Sequence, residues 1–131
     1  MTPVQAPEDM SPALAAAFNA RDLDAMAALY DEDAVLIDET GAEHPGVKAI
    51  KEALKDMLEA GGVMTSAPRL AVIVGDIALS GADWRFEPSD GGEPLEGRSL
   101  EVLRRQPDGS WRYVIDCPTG DVLMADKGSP K

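Results

Sequence analysis

The stretch GVKAIKEALKDMLEAGGVMTSAPRLAVIV, residues 46–74, contains the change of pattern that decides the fold class. Before Gly61 and Gly62, apolar residues recur every three or four positions, the period of a helix with one buried face. After these glycines the pattern changes to runs typical of strands. The stretch therefore predicts a helix that ends at Gly61 and Gly62 and a strand that follows directly.

Two more helices are predicted on the N-terminal side. Ser11 followed by Pro12 is typical of a helix start, so a first helix is expected to run to about Asn19. Asp22 can cap a short second helix. The run AVLID, residues 34–38, predicts a strand. The acidic run DED, residues 31–33, lacks the spacing of a calcium loop and is interpreted as a solvated helix end.

Towards the C-terminus the pattern predicts strands at roughly 63 to 75, 77 to 87, 97 to 106 and 110 to 117. The turn signals SDGG (89–92) and PDG (107–109) favour hairpins, and therefore an antiparallel sheet. We expect a single α+β domain over residues 1–131, with a core of about 8–118 and a C-terminal arm at 119–131. Three N-terminal helices would pack on one face of a curved antiparallel sheet and enclose a pocket.

Composition excludes several classes of partner. The 131 residues carry 24 acidic and 12 basic side chains, a net charge of −12, which repels nucleic acid and anionic membranes. No apolar run approaches the roughly 18 residues of a membrane span, and the first basic residue is Arg21, so we expect a cytoplasmic protein. The single Cys117 and single His44 predict neither a disulfide nor a zinc site, and no cofactor motif is present.

Three motifs in order resemble the nuclear transport factor 2-like superfamily, and within it the ketosteroid isomerase-like and SnoaL-like bacterial branch. They are NARDLD (19–24), YDEDAV (30–35) and DGSWRYVID (108–116), and the resemblance covers most of residues 8 to 120. It implies a cone-like, cystatin-like roll of bent antiparallel sheet, an apolar cavity under the helices and a homodimer through the outer sheet face. The superfamily contains isomerases, dehydratases, cyclases and catalytically inert binding modules, so the fold alone does not define an activity.

The resemblance implies two catalytic carboxyl groups. Asp38 matches the general base of the isomerases, and burial at the end of a strand would raise its pKa; the alternative is an aspartate that starts the turn DETG, residues 38–41. Glu101 matches a carboxylic acid that stays protonated and donates a hydrogen bond to a developing oxyanion. Its alternative is a cross-strand ion pair with Arg85 or Arg112.

The last strand alternates between two sets of side chains. By the resemblance, the set that faces the cavity is Asp116, Arg112 and Val114. The set on the outer face is then Trp111, Tyr113 and Ile115. From the residues alone the reverse is open, since large apolar side chains usually mark the core. The first assignment requires a partner to cover the aromatic rings, which predicts a homodimer.

One departure from the isomerases concerns their tyrosine cluster. Tyr30 keeps one position, but Leu14 stands where the isomerases have their essential hydroxyl donor, and Leu54 replaces another tyrosine. Loss of such a donor costs on the order of 3 kcal/mol of barrier lowering, so steroid isomerisation is not expected. The predicted pocket residues are Leu14, Phe18, Tyr30, Leu54, Trp84, Arg112 and Val114.

These residues leave two classes of function open. The first is a cofactor-independent isomerase, cyclase or dehydratase acting on a small apolar molecule, with Asp38 as base and Glu101 or Asp116 as acid. The second is a non-catalytic binder of such a molecule, or a dimerisation module. Three carboxyl groups in one apolar cavity cannot all ionise without cations, so at least one is expected to be protonated near neutral pH.

Overall fold

The structure, a computed structural model, describes residues 3–123, in which helices cover one face of a six-stranded sheet. The helices are α1 (Met10–Asn19), α2 (Leu23–Ala27), α3 (Gly46–Ala60) and α4 (Gly120–Leu123). The strands are β1 (Tyr30–Ile37), β2 (Glu43–Pro45), β3 (Gly62–Val74), β4 (Ile77–Pro88), β5 (Leu95–Arg105) and β6 (Trp111–Cys117). The predicted C-terminal arm includes α4, and its residues 124–131 lie outside the described part. The predicted α+β class and the four C-terminal strands are confirmed.

The strands lie in the order β2-β1-β6-β5-β4-β3 and leave the sheet unclosed. The neighbours from β3 to β6 pair antiparallel through hairpins, as predicted. One pairing differs from the prediction, because β1 lies parallel to β6. A parallel neighbour requires a long crossover, which here consists of β2, α3 and three strands between β1 and β6.

The ends of the helices follow local sequence signals, with one exception. Helix α3 ends at Gly61, whose φ of 73° is available to glycine at little cost, and the Asp22 side chain caps α2 by accepting from the Ala25 amide at 3.0 Å. The predicted start of α1 at Ser11 is wrong. The helix begins at Met10 because it continues a 3-10 turn, Pro7–Asp9, in which proline occupies the first turn.

The acidic run at residues 31–33 belongs to strand β1, so its interpretation as a helix end is wrong. Glu32 and Asp33 are exposed there, and Asp31 accepts from Arg104 of β5 at 3.1 Å. Both of these adjacent acids can face the solvent because the pairing of β1 with β6 is irregular between Tyr30 and Val35, where the regular alternation of a strand is interrupted.

The predicted assignment of the two faces of β6 is wrong for its aromatic residues. Trp111 and Tyr113 are buried at 3% and 1% exposure, whereas Ile115 is 40% exposed. The register with β5 pairs Val102 with Ile115 but Leu103 with Tyr113, so Val114 is an extra residue in β6. This bulge turns Asp116 to the same side as the two rings, since it shifts the alternation by one residue.

The buried core lies between the helices and the inner face of the sheet. Its largest fully buried side chains come from both layers: Tyr113, Phe18, Met10, Met26, Ile50, Leu54 and Leu103. None of the helices within residues 3–123 is long and apolar enough to cross a membrane.

The junction between α3 and β3 should tolerate no side chain at Gly62. A Cβ atom there would overlap the Phe86 ring and lie 2.6 Å from the Glu87 carbonyl oxygen. We expect Gly62→Ala to lower the free energy of unfolding by about 3 kcal/mol in urea denaturation. Gly75→Ala is the control, since its φ is also positive but no heavy atom lies within 4 Å, and it should cost about 1 kcal/mol. Equal losses in the two variants would contradict the close approach.

Candidate functional site

A cavity of about 450 Å³ lies between helices α1 and α3 and the inner face of the sheet. This volume falls within the range of about 300–1,000 Å³ that is common for small-molecule sites. Its wall is mostly apolar. Five of the predicted pocket residues line it: Leu14, Phe18, Tyr30, Leu54 and Trp84.

One row of cross-strand neighbours contains three polar residues of the cavity lining, Glu101, Asp116 and His44. From β4 to β2 the paired residues of the row are Ser80, Glu101, Asp116, Leu36 and His44. Directly paired residues of neighbouring strands present their side chains on the same face. The row therefore brings together two predicted catalytic residues, Glu101 and Asp116, although they are 15 positions apart in the sequence.

Glu101 and Asp116 form a pair of buried acids, with residue exposures of 4% and 3%. The Ser80 hydroxyl donates to Glu101 Oε1 at 2.7 Å, and the Tyr30 hydroxyl donates to Asp116 Oδ2 at 2.5 Å. The ion pair considered for Glu101 is not formed with Arg85, which pairs with Glu87 and Glu96 instead. The two acids therefore lie in the interior with hydroxyl donors and without a basic partner among the described residues.

This environment raises the pKa of both acids. Burial, and then the charge of Glu101, raise the pKa of Asp116 to about 7, while the hydrogen bond from Tyr30 opposes the shift. Burial also raises the pKa of Glu101, against hydrogen bonds from Ser99 and Ser80. Two neighbouring acids cannot both ionise easily in an apolar interior, so the pair retains a proton near neutral pH.

Asp38 lines the same cavity, but the prediction of a raised pKa is wrong for this residue. Its Oδ1 accepts from the Thr40 amide at 2.9 Å, the Thr40 hydroxyl at 2.6 Å and the Ala42 amide at 3.0 Å. The hydrogen bonds from the Thr40 hydroxyl and from His44 hold the pKa of Asp38 well below its ordinary value. Its contacts match the alternative interpretation, an aspartate that organises its own turn.

His44 belongs to strand β2 and lines the cavity. The Nε2 atom lies 2.9 Å from Asp38 Oδ2, with side-chain exposures of 30% for His44 and 26% for Asp38. A carboxylate on one imidazole nitrogen fixes the orientation of the ring. The other nitrogen, Nδ1, forms no hydrogen bond with the described residues.

Two predicted pocket residues do not line the cavity. Arg112 is exposed and Val114 is half-buried at the bulge of β6. The prediction placed Arg112, Val114 and Asp116 on the face of β6 that lines the cavity. Because of the bulge, only Asp116 lies on that face. The position of a bulge depends on pairing with β5, which the pattern of β6 does not reveal.

Sequence analysis missed several polar residues of the cavity, among them Tyr113, Thr119 and Ser99. Tyr113 was assigned to the outer face, and Thr119 follows the last strand. The Thr119 Oγ1 atom is buried without a hydrogen-bond partner among the described residues. The Pro118 carbonyl, one residue earlier, accepts from Trp84 Nε1 at 2.6 Å and so holds this segment against the cavity.

Other parts of the described chain carry weaker candidates. An open depression of about 620 Å³ is lined by residues that include Asp83, Arg85, Glu96 and Arg98. These charged side chains form ion pairs, Arg85 with Glu96 and Arg98 with Asp83, which leaves them engaged with one another. Within residues 3–123 no three histidine, cysteine, aspartate or glutamate side chains are placed to hold a metal ion together.

The raised pKa of Asp116 should make folding stability depend on pH. Its folded value of about 7 exceeds the unfolded value of about 4, so the folded state binds the extra proton between these values. The free energy of unfolding should therefore fall as pH rises from about 4 to about 7, by on the order of 4 kcal/mol. Urea denaturation across this range should show a much smaller fall for Asp116→Asn. The exposed Asp33→Asn serves as the control, and equal slopes in all three proteins would contradict the assignment.

Comparison with known proteins connects this site to a family. The SnoaL-like domain model matches residues 13–114, and no curated protein matches the chain. One similar structure is a protein from Thiobacillus denitrificans that is provisionally assigned as a calcium/calmodulin-dependent protein kinase type II association domain. It has 25% identity and a TM-score of 0.75, with 90% of this chain and 98% of that chain covered.

Two further structures have the same fold. A ketosteroid isomerase-like protein from Erwinia carotovora atroseptica has 24% identity and a TM-score of 0.71, with 84% of this chain and 89% of that chain covered. An NTF2-like protein of unknown function from Shewanella oneidensis has 19% identity and a TM-score of 0.71, with 83% and 92% covered. The chain has the fold of these structures and belongs to the SnoaL-like domain family.

Proposed function

We propose that the protein binds a small, largely apolar molecule in its cavity and transfers a proton to or from it without a cofactor. The SnoaL-like fold supports a small-molecule-binding or isomerase-like domain. The observation that carries the proposal is the buried pair of Glu101 and Asp116, whose proton lies beside an apolar cavity of about 450 Å³.

The acid in this proposal is the pair of Glu101 and Asp116. Proton transfer is most efficient when the pKa of the catalytic group lies near the working pH, and the pKa of Asp116 is raised to about 7. The hydrogen bond from Tyr30 orients the Asp116 carboxyl group. Burial keeps water away from the proton, which strengthens its interaction with a bound substrate.

The base in this proposal is His44 rather than Asp38, whose carboxylate is occupied by its own turn. His44 and Asp116 both pair with Leu36, on its two sides. Since neighbouring strands lie about 4.8 Å apart, the two residues are separated by roughly 10 Å along the cavity floor. A small molecule above Leu36 would have the oriented imidazole on one side and the acid on the other.

A second candidate function is binding without catalysis. The occupied Asp38 carboxylate favours it, because the residue that matches the base of the isomerases holds its turn together instead. In this alternative the acids and His44 only recognise the ligand.

Exchange of substrate protons with solvent separates the two functions. We expect small apolar ketones to exchange their α-protons in heavy water in the presence of the wild-type protein, as measured by NMR. Asp116→Asn and His44→Gln should each slow this exchange by about 100-fold or more, and the surface variant Asp33→Asn should not change it. Ketones that bind without faster exchange would support the binder. Absence of binding by all ketones would contradict a small-molecule cavity.

We also propose a homodimer through the outer face of the sheet, although its predicted aromatic residues are buried within the chain. Two apolar rows cross this face instead. One row pairs Val72, Leu79, Val102 and Ile115, and the other pairs Leu70, Gly81, Leu100 and Cys117. The large residues Leu70, Val72, Leu79, Leu100 and Ile115 are 40–50% exposed. A continuous apolar face of this kind is typical of an interface.

Adjacent residues of β3 provide a matched test of the dimer. Val72 and Ile73 are 50% and 49% exposed but point to opposite faces of the sheet. Light scattering should give a dimer mass for the wild-type protein and for Ile73→Glu, and a monomer mass for Val72→Glu at micromolar concentration. A monomeric wild type, or equal masses for the two variants, would refute this interface.

A further inference from the structure

The charged side chains around the cavity are almost all acidic. No lysine or arginine within residues 3–123 lines it. Its titratable groups come from strands β1, β2, β5 and β6, helix α3 and the turn after β1, with none from α1. They are Tyr30, His44, Glu101, Tyr113, Asp116, Asp56, Asp38 and Glu39. An anionic ligand would meet uncompensated negative charge here, so carboxylates and phosphates are disfavoured.

Two hydroxyl-bearing residues, Tyr113 and Thr119, are among those that line the cavity. Tyr113 is 99% buried, its ring lies 4.9 Å from that of Tyr30, and it donates to neither acid. Thr119 Oγ1 is buried and has no hydrogen-bond partner among the described residues. Buried polar groups without a partner are rare in proteins.

We propose that the ligand carries a basic amine on an apolar body, with its ammonium group held by the buried pair of Glu101 and Asp116. This inference rests on the small-molecule cavity of the proposed function and specifies its ligand class; with an amine bound, the pair has given up its proton and serves as the counter-ion of the ammonium group. The two acids and the hydroxyl of Tyr113, which line the cavity, supply acceptors for the N–H groups of an ammonium ion. The face of an aromatic ring also attracts a cation, and Tyr30, Tyr113 and Trp84 are among the lining residues.

Binding of an amine removes one proton from the pair of Glu101 and Asp116. Near neutral pH the pair holds one proton and the free amine in water is an ammonium ion. When the ammonium ion binds, an acid O–H bond breaks and the proton leaves to solvent, so the bound state contains one more carboxylate. A ligand that enters as the neutral amine takes the acid proton directly, forming an N–H bond. Both routes end in the same ion pair.

Three probes with one apolar body test the ligand class: 2-naphthylmethylamine, 2-naphthylmethanol and 2-naphthoate. In calorimetric titrations of the full chain at pH 7.5, we expect the amine to bind at least about tenfold more tightly than the alcohol, with no detectable binding of the carboxylate. Titrations at pH 6, where the pair still holds its proton, in buffers with different ionisation enthalpies should show close to one proton released for each amine bound. Below pH 7 the Kd of the amine should rise by up to about tenfold per pH unit, while that of the alcohol should not rise.

Substitutions of Glu101 and Asp116 test whether the preference for the amine depends on these two acids. Asp116→Asn and Glu101→Gln should each remove most of the preference for the amine and leave the affinity for the alcohol within about threefold, whereas the surface variant Asp33→Asn should keep the preference. If the alcohol binds and the amine is not preferred in the wild type, the inference fails and the proposed function stands. A preference that survives in both variants also overturns it. If none of the three probes binds, the apolar cavity itself is contradicted.

Discussion

Two carboxylic acids lie side by side in the interior without a basic neighbour, and the organisation of the cavity depends on this constraint. Glu101 and Asp116 are directly paired on β5 and β6, and hydroxyl groups from β4 and β1 hydrogen-bond to them. Burial and mutual repulsion oppose the loss of the last proton, so the pair keeps it near neutral pH. The pair therefore gives the apolar cavity either an acid that can donate a proton or a negative charge that can bind a cationic ligand.

The bulge at Val114 makes this arrangement compatible with a well-packed core. In a regular strand, Trp111 and Tyr113 inside would leave Asp116 outside. Because the bulge adds one residue to β6, the two aromatic rings and the carboxyl group all face inward. One short strand therefore supplies both packing and the polar group of the site. The bulge also separates Asp116 from the face of Arg112, which lies on the surface and cannot neutralise the acids.

Local signals predicted the architecture well because they act within a few residues. Gly61 ends α3, Asp22 caps α2, and the turns between strands specify an antiparallel hairpin order. The site was predicted in part, since the resemblance placed Glu101 and Asp116 at the cavity. The assignment of the β6 side chains to the two faces of the sheet was not predicted correctly, because the bulge depends on the pairing of β6 with β5. The pKa of Asp38 was missed since its hydrogen bonds come from neighbours whose geometry the strand pattern does not define.

The central claim is that the pair of Glu101 and Asp116 retains a proton near neutral pH. Titration of the side-chain carboxyl carbons by NMR measures this directly, with Asp116→Asn and Glu101→Gln used to assign the resonances. We expect the pair to titrate in two steps, with its upper apparent pKa near 7, and Asp38 to remain ionised down to lower pH than an ordinary aspartate. Ordinary values of about 4 for both members of the pair would contradict it.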